Sequence, residues 1–399
     1  MSIILNLLGI ALVIGIAVAC SYDRKRINWK MIGKALLAQF ILAIIVIKVP
    51  AGVWVIEEIS NLVTAIVGFG RTGLEFVFGS FMDIPKTGFV FIVHVLSNII
   101  FVGALVSILT YLGILGFVVR HLGAALGKII GTSRVESFIC VANMFLGQTE
   151  SPLLIAKYLK NLTNSEILMI LVAGMGSMSV SILGGYSAMG VPMQLLILAS
   201  SLVPFGSIVM GKIILPEKEE GDLVSKVDVD RHSAGSNIVE AMSNGAFDGW
   251  MVVMAIASSL VAINGMVALI DGGLSFAGLE LKQIFGWIFY PVAFLMGLDA
   301  SFTDVAGQIL GCKLILNEFV AYDMLMPMMD SLDYRAQAVM CITIGGFANV
   351  GSMAVCVSTY GSLCPERKSD VAQLIVRALA GAFALNIMNG MIVGIILSF

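Results

Sequence analysis

Apolar runs of span length recur along the whole chain, and the polar residues between them are bunched. Runs near 2–20 and 35–49 bracket a loop holding Arg24, Lys25, Arg26, Lys30 and Lys34. About 20 apolar residues cross a ~30 Å hydrocarbon core as helix. The positive-inside rule makes that basic loop cytoplasmic and the N-terminus external. Residues 50–88 are mixed, with Glu57, Glu58, Arg71, Glu75, Asp83 and Lys86, and the amphipathic part 53–67 predicts a helix lying on the membrane surface. A third span follows at 89–112. Residues 114–131, with Arg120, His121 and Lys128, suit a cytoplasmic-side helix.

Segment 134–161 begins at Arg134 and ends with Lys157 and Lys160, so both ends face the cytoplasm. Its 28 residues cannot cross the membrane twice at 1.5 Å per residue. A re-entrant helical hairpin satisfies both constraints, with its tip at Gly147-Gln148-Thr149-Glu150-Ser151-Pro152. Gly before and Pro after interrupt the helix there and free backbone groups for binding. Spans follow at 165–186, 191–215 and 249–270, separated by a polar stretch, 216–247, expected to contain a cytoplasmic surface helix. Segment 284–328 predicts a second hairpin entering from outside, turning near Gly297-Leu298-Asp299, and spans at 336–358 and 371–398 complete the chain. The expected fold is an all-α polytopic membrane protein of eight transmembrane helices plus two re-entrant helical hairpins, both termini outside.

The second half echoes the first. Gly176-Ser177-Met178-Ser179-Val180-Ser181 resembles Gly351-Ser352-Met353-Ala354-Val355-Cys356 at an offset of 175, while Leu146-Gly147-Gln148 and Leu316-Asn317-Glu318 lie 170 apart. Hairpins entering from opposite sides make the repeats inverted, the arrangement of secondary transporters with a site at the repeat interface. The organisation predicted is 1–133 for N-terminal spans, surface helices and part of a scaffold; 134–215 for the first repeat; 216–270 for a surface helix and scaffold span; and 271–399 for the second repeat.

Composition agrees with the pattern. The 399 residues are 59% hydrophobic and 12% charged, with mean hydropathy +1.00. Soluble domains carry about twice that charge, at roughly 25%. No basic patch exists for nucleic acid. Six cysteines (Cys20, Cys140, Cys312, Cys341, Cys356, Cys364) fit neither a disulfide framework nor a metal site and read as small apolar residues. His94 lies in an apolar span and reads as a satisfied interior histidine, with a proton relay as the alternative. Ala17-Val18-Ala19-Cys20 hints at a cleavage site, but the positive charges follow the apolar run, the reverse of a signal peptide, so a retained first helix is expected.

The chemistry sits in three clusters: the Glu150 stretch, Asn317-Glu318-Phe319-Val320-Ala321-Tyr322, and Phe347-Ala348-Asn349-Val350-Gly351-Ser352. A carboxylate in lipid costs at least ~2.5–3.5 kcal/mol, so Glu150 and Glu318 should face protein, water or ligand. The clusters are expected to meet near the midplane around a polar solute. Residue type alone leaves open structural glutamates paired within the bundle, and Asn349 and Ser352 merely bonding helix to helix.

Gly147-Gln148-Thr149-Glu150-Ser151-Pro152, Asn317-Glu318-Phe319-Val320-Ala321-Tyr322, Gly346-Phe347-Ala348-Asn349 and Pro365-x-Arg367-Lys368, in this order, resemble the concentrative nucleoside transporters from about residue 70 to the end. The resemblance implies a homotrimer in the lipid bilayer of a bacterial cytoplasmic (inner) membrane, with a scaffold and mobile transport domains. These would carry nucleosides such as uridine, cytidine or adenosine inward by an elevator movement driven by sodium. It further implies that Gln148, Thr149 and Glu150 read the nucleobase. Glu318, Asn349 and Ser352 would bind the ribose hydroxyls, with Phe347 packing nearby. Asn143, Leu146, Ser177 and Met178 would hold sodium, Leu146 and Met178 through their carbonyls. Gln148 both donates and accepts, and an ionised Glu318 accepts from two hydroxyls.

The sequence departs from the family pattern at three places. Leu96-Ser97 stands where the family commonly has Leu-Pro, which would remove a kink. Met296-Gly297-Leu298-Asp299 stands for Met-Gly-Val-Pro, and Gly351 for a common Ser. Proton coupling in the same fold is the serious rival to sodium. An intramembrane enzyme is the remote one, since Gly297-Leu298-Asp299 and Tyr322-Asp323 echo protease aspartate motifs only in reversed, incomplete form and no zinc motif appears. A channel has no need of two occluding hairpins.

Overall fold

The computed structural model describes residues 1–218 and 234–399, and the regular structure among them is helical, with no strand. The first part comprises α1 (Ser2–Ala19), α2 (Trp29–Lys48), α3 (Pro50–Phe78), the short α4 (Ile84–Thr87), α5 (Asn98–Tyr111) and α6 (Ile114–Ile130). Then come α7 (Arg134–Glu150), α8 (Asn164–Gly176), α9 (Val180–Ala188), α10 (Met193–Ile214) and α11 (Ile238–Leu274). The chain ends with α12 (Leu281–Leu295), α13 (Ala300–Ile315), α14 (Glu318–Leu325), α15 (Tyr334–Ile344), α16 (Val350–Leu363) and α17 (Lys368–Leu397).

Nine helical stretches among the described residues are long and apolar enough to cross a membrane. That set includes the 134–161 hairpin and the region of α3, and omits the broken pair α15 and α16, whose pieces are short. Removing the first two and adding the broken pair gives the eight expected spans. Helix α3 lies across one end of the bundle: its start neighbours the first turns of α10 and α15 and the last turn of α17. Further along, its Val67 and Gly70 reach Gly184 of α9 and Phe101 of α5. That placement suits a surface helix, though one running from Pro50 to Phe78 instead of 53–67. The surface helix expected in 216–247 falls largely on residues outside those described; within the described part, α11 begins at Ile238.

Burial divides the molecule. Helices α8, α10 and α17 are almost wholly interior, whereas α3 and α11 present long apolar faces outward. At 37 residues, α11 extends roughly 55 Å and overreaches a ~30 Å core. It packs on α5 through Gly245 and Gly249, four apart on one face. A Cβ at Gly245 would lie 2.5 Å from the Gly103 carbonyl oxygen, and one at Gly249 would lie 2.8 Å from Ile100 Cα. Small residues at this spacing let membrane helices approach backbone to backbone.

The broken helices of the inverted repeat share one offset. Helix α8 begins at Asn164 and α15 at Tyr334; α9 begins at Val180 and α16 at Val350; each pair is 170 residues apart. Their N-caps match too: Thr163 and Asp333 cap α8 and α15 through their side chains. Each such cap contributes about 1 kcal/mol. The 175-residue offset suggested by the Gly/Ser strings is therefore corrected. Gly176–Ser179 straddles the gap between α8 and α9, while Gly351–Cys356 lies inside the first turns of α16. Short Gly/Ser strings match by composition, whereas the structural counterpart of the Gly176 break is the gap at 345–349.

The second hairpin also turns elsewhere than expected. Gly297-Leu298-Asp299 is the turn joining α12 to α13, the counterpart of the Gly131-to-Ser133 turn between α6 and α7. Arg335 ties it down by donating to the carbonyls of Met296 (3.1 Å) and Gly297 (2.9 Å). The re-entrant limbs are α13 and α14, and the tip is Leu316-Asn317. Asp299 caps α13 by position, with no side-chain bond, far from the tip. Nor does Ser97 remove the distortion of the third span. Residues Ile92–Leu96 form a π-helical turn, and the Ser97 N–H and hydroxyl both donate to Ile92 O, at 3.0 and 2.7 Å. An i→i−5 bond plus a hydroxyl does there what a proline would do.

Candidate functional site

The first hairpin breaks at Gly147, where φ is 68° and ψ −165°. L-residues avoid this region, and a Cβ would also press on Phe347 Cε2 at 3.0 Å and Ser179 Cβ at 3.1 Å, so glycine is required. Ser133 and Glu136 form a capping box at the start of α7. Pro152 starts the returning limb, the 3₁₀ helix Ser151–Asn161, where its missing N–H costs nothing. The second tip is made differently. Leu316 (φ −93°, ψ −91°) bends the chain, and Asn317 is extended and caps α14 by accepting the Val320 N–H at 3.0 Å. Glu318 thus opens a helix at its positive end.

The tips and the two broken helices enclose a cavity of about 220 Å³. Gln148, Thr149 and Glu150 line it from the first tip, Glu318 from the second, and Phe347, Asn349 and Ser352 from the gap before α16. Val252, Ala255, Ile256 and Ser259 of α11 close the far wall. All seven residues expected to contact substrate therefore meet in one place. Gln148 donates to Ser352 Oγ at 3.0 Å, joining the halves directly. Glu318 is buried, and its two oxygens accept from Tyr186 (2.8 Å) and Asn349 Nδ2 (3.0 Å). Asn349 Oδ1 in turn accepts the Ser352 N–H at 2.9 Å, which caps α16. Buried charges survive only when so satisfied, each such bond contributing about 1.5–3 kcal/mol.

Asn143, Leu146, Ser177 and Met178 are all buried beside this cavity, where the first tip meets the end of α8. Ser177 Oγ donates to Gly174 O (2.9 Å), and Ser177 O accepts Phe347 N–H (3.0 Å). Asn143 Oδ1 accepts from Ser151 at 2.7 Å, and its Nδ2 is buried with no partner among the described residues. The two ends of an amide exchange by a flip, so Ser151 can equally accept from Nδ2 and leave Oδ1 open. An open oxygen beside a helix C-terminus suits a hard cation. Among the described residues no group of three or more His, Cys, Asp or Glu could hold a metal ion.

Reading the sequence missed four contributors. Tyr186 holds Glu318, and Cys356 Sγ donates to Gln148 Oε1 at 3.4 Å. Lys313, fully buried, donates to Thr343 O, Gly345 O and Asn386 Oδ1, and Asn386 donates to Gly176 O. A lone lysine between Cys312 and Leu314 was the available signal. His94 is satisfied on one side only: Nδ1 accepts the Val90 N–H (3.0 Å), while Nε2 is buried without a partner among the described residues.

Three family models match the chain in order. One, described as the N-terminus of Na+ dependent nucleoside transporters, covers residues 8–81; one, described as nucleoside recognition, covers 92–193; and the C-terminus of Na+ dependent nucleoside transporters covers 195–394. An uncharacterised transporter of Haemophilus influenzae is 38% identical across 99% of this chain and 98% of its own. Nucleoside permease NupC of Helicobacter pylori is 34% identical over 99% and 98%. Human sodium/nucleoside cotransporter 1 is 30% identical over 97% of this chain and 63% of its own. CNTnw in an inward-facing substrate-bound state superposes with TM-score 0.94 at 33% identity, covering 100% of this chain and 98% of that one. A variant of CNTnw in an outward-facing state gives 0.95, at 33% identity over 100% and 99%.

Proposed function

The chain belongs to the sodium-dependent, concentrative nucleoside transporter family, a family of membrane transporters and not of enzymes, and from that premise we propose that it imports nucleosides by symport with sodium. The observation that carries this reading is the convergence of both hairpin tips on one cavity whose buried carboxylate is held as a pure acceptor. Gln148, Thr149 and Glu150 read the base, combining donors and acceptors as a nucleobase edge demands. Glu318, Asn349 and Ser352 take the ribose hydroxyls, with Phe347 against the sugar. The positive N-terminal ends of α14 and α16 favour the oxygens gathered there. Asn143, Ser177 and the Leu146 and Met178 carbonyls take the sodium ion, which is cargo.

The protein works as a homotrimer in the bacterial inner membrane, both termini outside. Its scaffold includes α3, α5 and α11, and the hairpins and broken helices ride past it as the elevator. Support comes from the cavity wall: α11 contributes Val252, Ala255 and Ile256, an apolar face along which the polar clusters can slide. The outward apolar faces of α3 and α11 provide the surface for lipid and neighbouring protomers. Uptake of radiolabelled uridine into proteoliposomes tests the reading. Uptake is expected with an inward sodium gradient and not when choline replaces sodium. Equal uptake in choline under a pH gradient would replace sodium by protons.

A further inference from the structure

The 170-residue offset that relates α8 to α15 also relates Asn143 to Lys313. Both lie on the first limb of a hairpin, one turn before its tip, beside the last turn of the following broken helix. Asn143 neighbours Gly174 in α8, and Lys313 neighbours Thr343 and Gly345 at the end of α15. The two helix ends face each other. Phe347 N–H donates to Ser177 O at 3.0 Å, and a Cβ at Gly346 would lie 2.4 Å from the Gly176 oxygen. Each helix C-terminus carries about −0.5 of an elementary charge, so bringing two together inside a membrane calls for positive charge at both.

At the second repeat the group placed to supply that charge is Lys313. Lys313 Nζ donates to three oxygens: Thr343 O at 2.5 Å, Asn386 Oδ1 at 2.9 Å and Gly345 O at 3.5 Å. An ammonium has three N–H donors to match three acceptors, whereas a neutral amine would turn its lone pair on one of them. Its three acceptors are neutral amide and main-chain oxygens, and the nearby Glu318 carboxylate bonds Tyr186 and Asn349 instead. Asn386 bridges the two positions, accepting from Lys313 and donating to Gly176 O at 2.8 Å, next to Ser177 and Met178. At the first repeat the equivalent residue is a neutral amide with an unpartnered end.

We propose that the Lys313 ammonium is a tethered cation standing at the repeat-related counterpart of the Asn143 site, so that a protomer couples to a mobile cation at the first repeat and to none at the second. The inference rests on the sodium reading above and adds its stoichiometry. Lys313→Asn would expose Thr343 O, Gly345 O and Asn386 Oδ1, together with its own amide oxygen, as a second set of hard ligands. Lys313→Met removes the charge and offers no ligand.

Counting radioactive sodium bound per protomer in purified protein tests this, with the melting temperature in sodium and in choline as a second readout. Lys313→Asn is expected to bind one more sodium ion than the unaltered protein and to gain more thermal stability from sodium. Lys313→Met is expected to gain neither. An unchanged count in a folded Lys313→Asn overturns the proposal. If that variant does not assemble, the unaltered protein decides: one ion per protomer upholds it, and two, or none, overturns it. No ion in the unaltered protein, with one gained in Lys313→Asn, would sink the sodium reading and keep the lysine's role.

Discussion

The first hairpin turns on a glycine at positive φ and presents an amide, a hydroxyl and a carboxylate in a row, Gln148, Thr149 and Glu150. The second turns on an extended asparagine and presents one carboxylate, Glu318, already gripped by two donors. The same plan, repeated 170 residues later, has become an adaptable donor–acceptor face on one side and a fixed acceptor on the other. A nucleoside has the same asymmetry: a base edge that mixes donors and acceptors, and a sugar whose hydroxyls mainly donate. The difference teaches that one repeated geometry can present two chemistries, and on the proposed function the two tips divide recognition between base and sugar.

The sharpest way to break that comparison is Glu318→Gln. The amide would set a donor against Tyr186 or Asn349 and remove the charge proposed to accept the ribose hydroxyls. Charge-assisted bonds contribute about 1.5–3 kcal/mol each, so uridine uptake is expected to fall by at least roughly 100-fold. Size-exclusion chromatography should show the assembly unchanged, and uptake above a tenth of normal would remove Glu318 from the ribose site. Gly147→Ala comes next. Forcing a side chain to φ 68° and ψ −165° costs about 1–3 kcal/mol before the contacts with Phe347 and Ser179 are counted. Uptake should drop roughly 10-fold or more. Asn317→Gly at the other tip changes a cap by only a few tenths of a kcal/mol and should leave uptake within about two-fold. Equal losses at both tips would erase the distinction between them.

Tyr186→Phe is expected to raise KM for uridine about ten-fold, by removing one of the two donors to Glu318, taken at the low end of the ~1.5–3 kcal/mol for a bond to a charged group. An unchanged KM would mean that water replaces the phenol without loss. The smallest effect is expected from Ser97→Pro. The π-turn at Ile92–Leu96 already provides the bend, so a proline that forgoes the bonds to Ile92 O should alter uptake by less than about two-fold. A large loss would show that the serine bonds, and not the bend, are needed.

What could be read from the sequence was what hydropathy and backbone chemistry mark strongly. Spans stand out as apolar runs, and the first tip stands out because Gly147 and Pro152 flank polar residues inside one. The second tip was misplaced because Gly297-Leu298-Asp299 has stronger turn chemistry than Leu316-Asn317. A glycine at φ 65° marks an ordinary helix–helix turn there, while the real tip is made by a cap. Ser97 misled for a related reason, since a hydroxyl bonding five residues back leaves no proline-like mark. The seven substrate-contact candidates were legible as polar clusters. Their supports were not: Tyr186 reads as one more aromatic in an apolar helix. The partners of Lys313 include main-chain carbonyls, which carry no side-chain signature.

Binding of uridine and 3′-deoxyuridine to the unaltered protein, Gln148→Ala and Glu318→Gln, measured by calorimetry, tests the division between the two tips most directly. If the second tip holds the sugar, deleting the 3′-hydroxyl weakens binding by the same factor in the unaltered protein and in Gln148→Ala, and adds nothing in Glu318→Gln. The same penalty in Glu318→Gln as in the unaltered protein would contradict it.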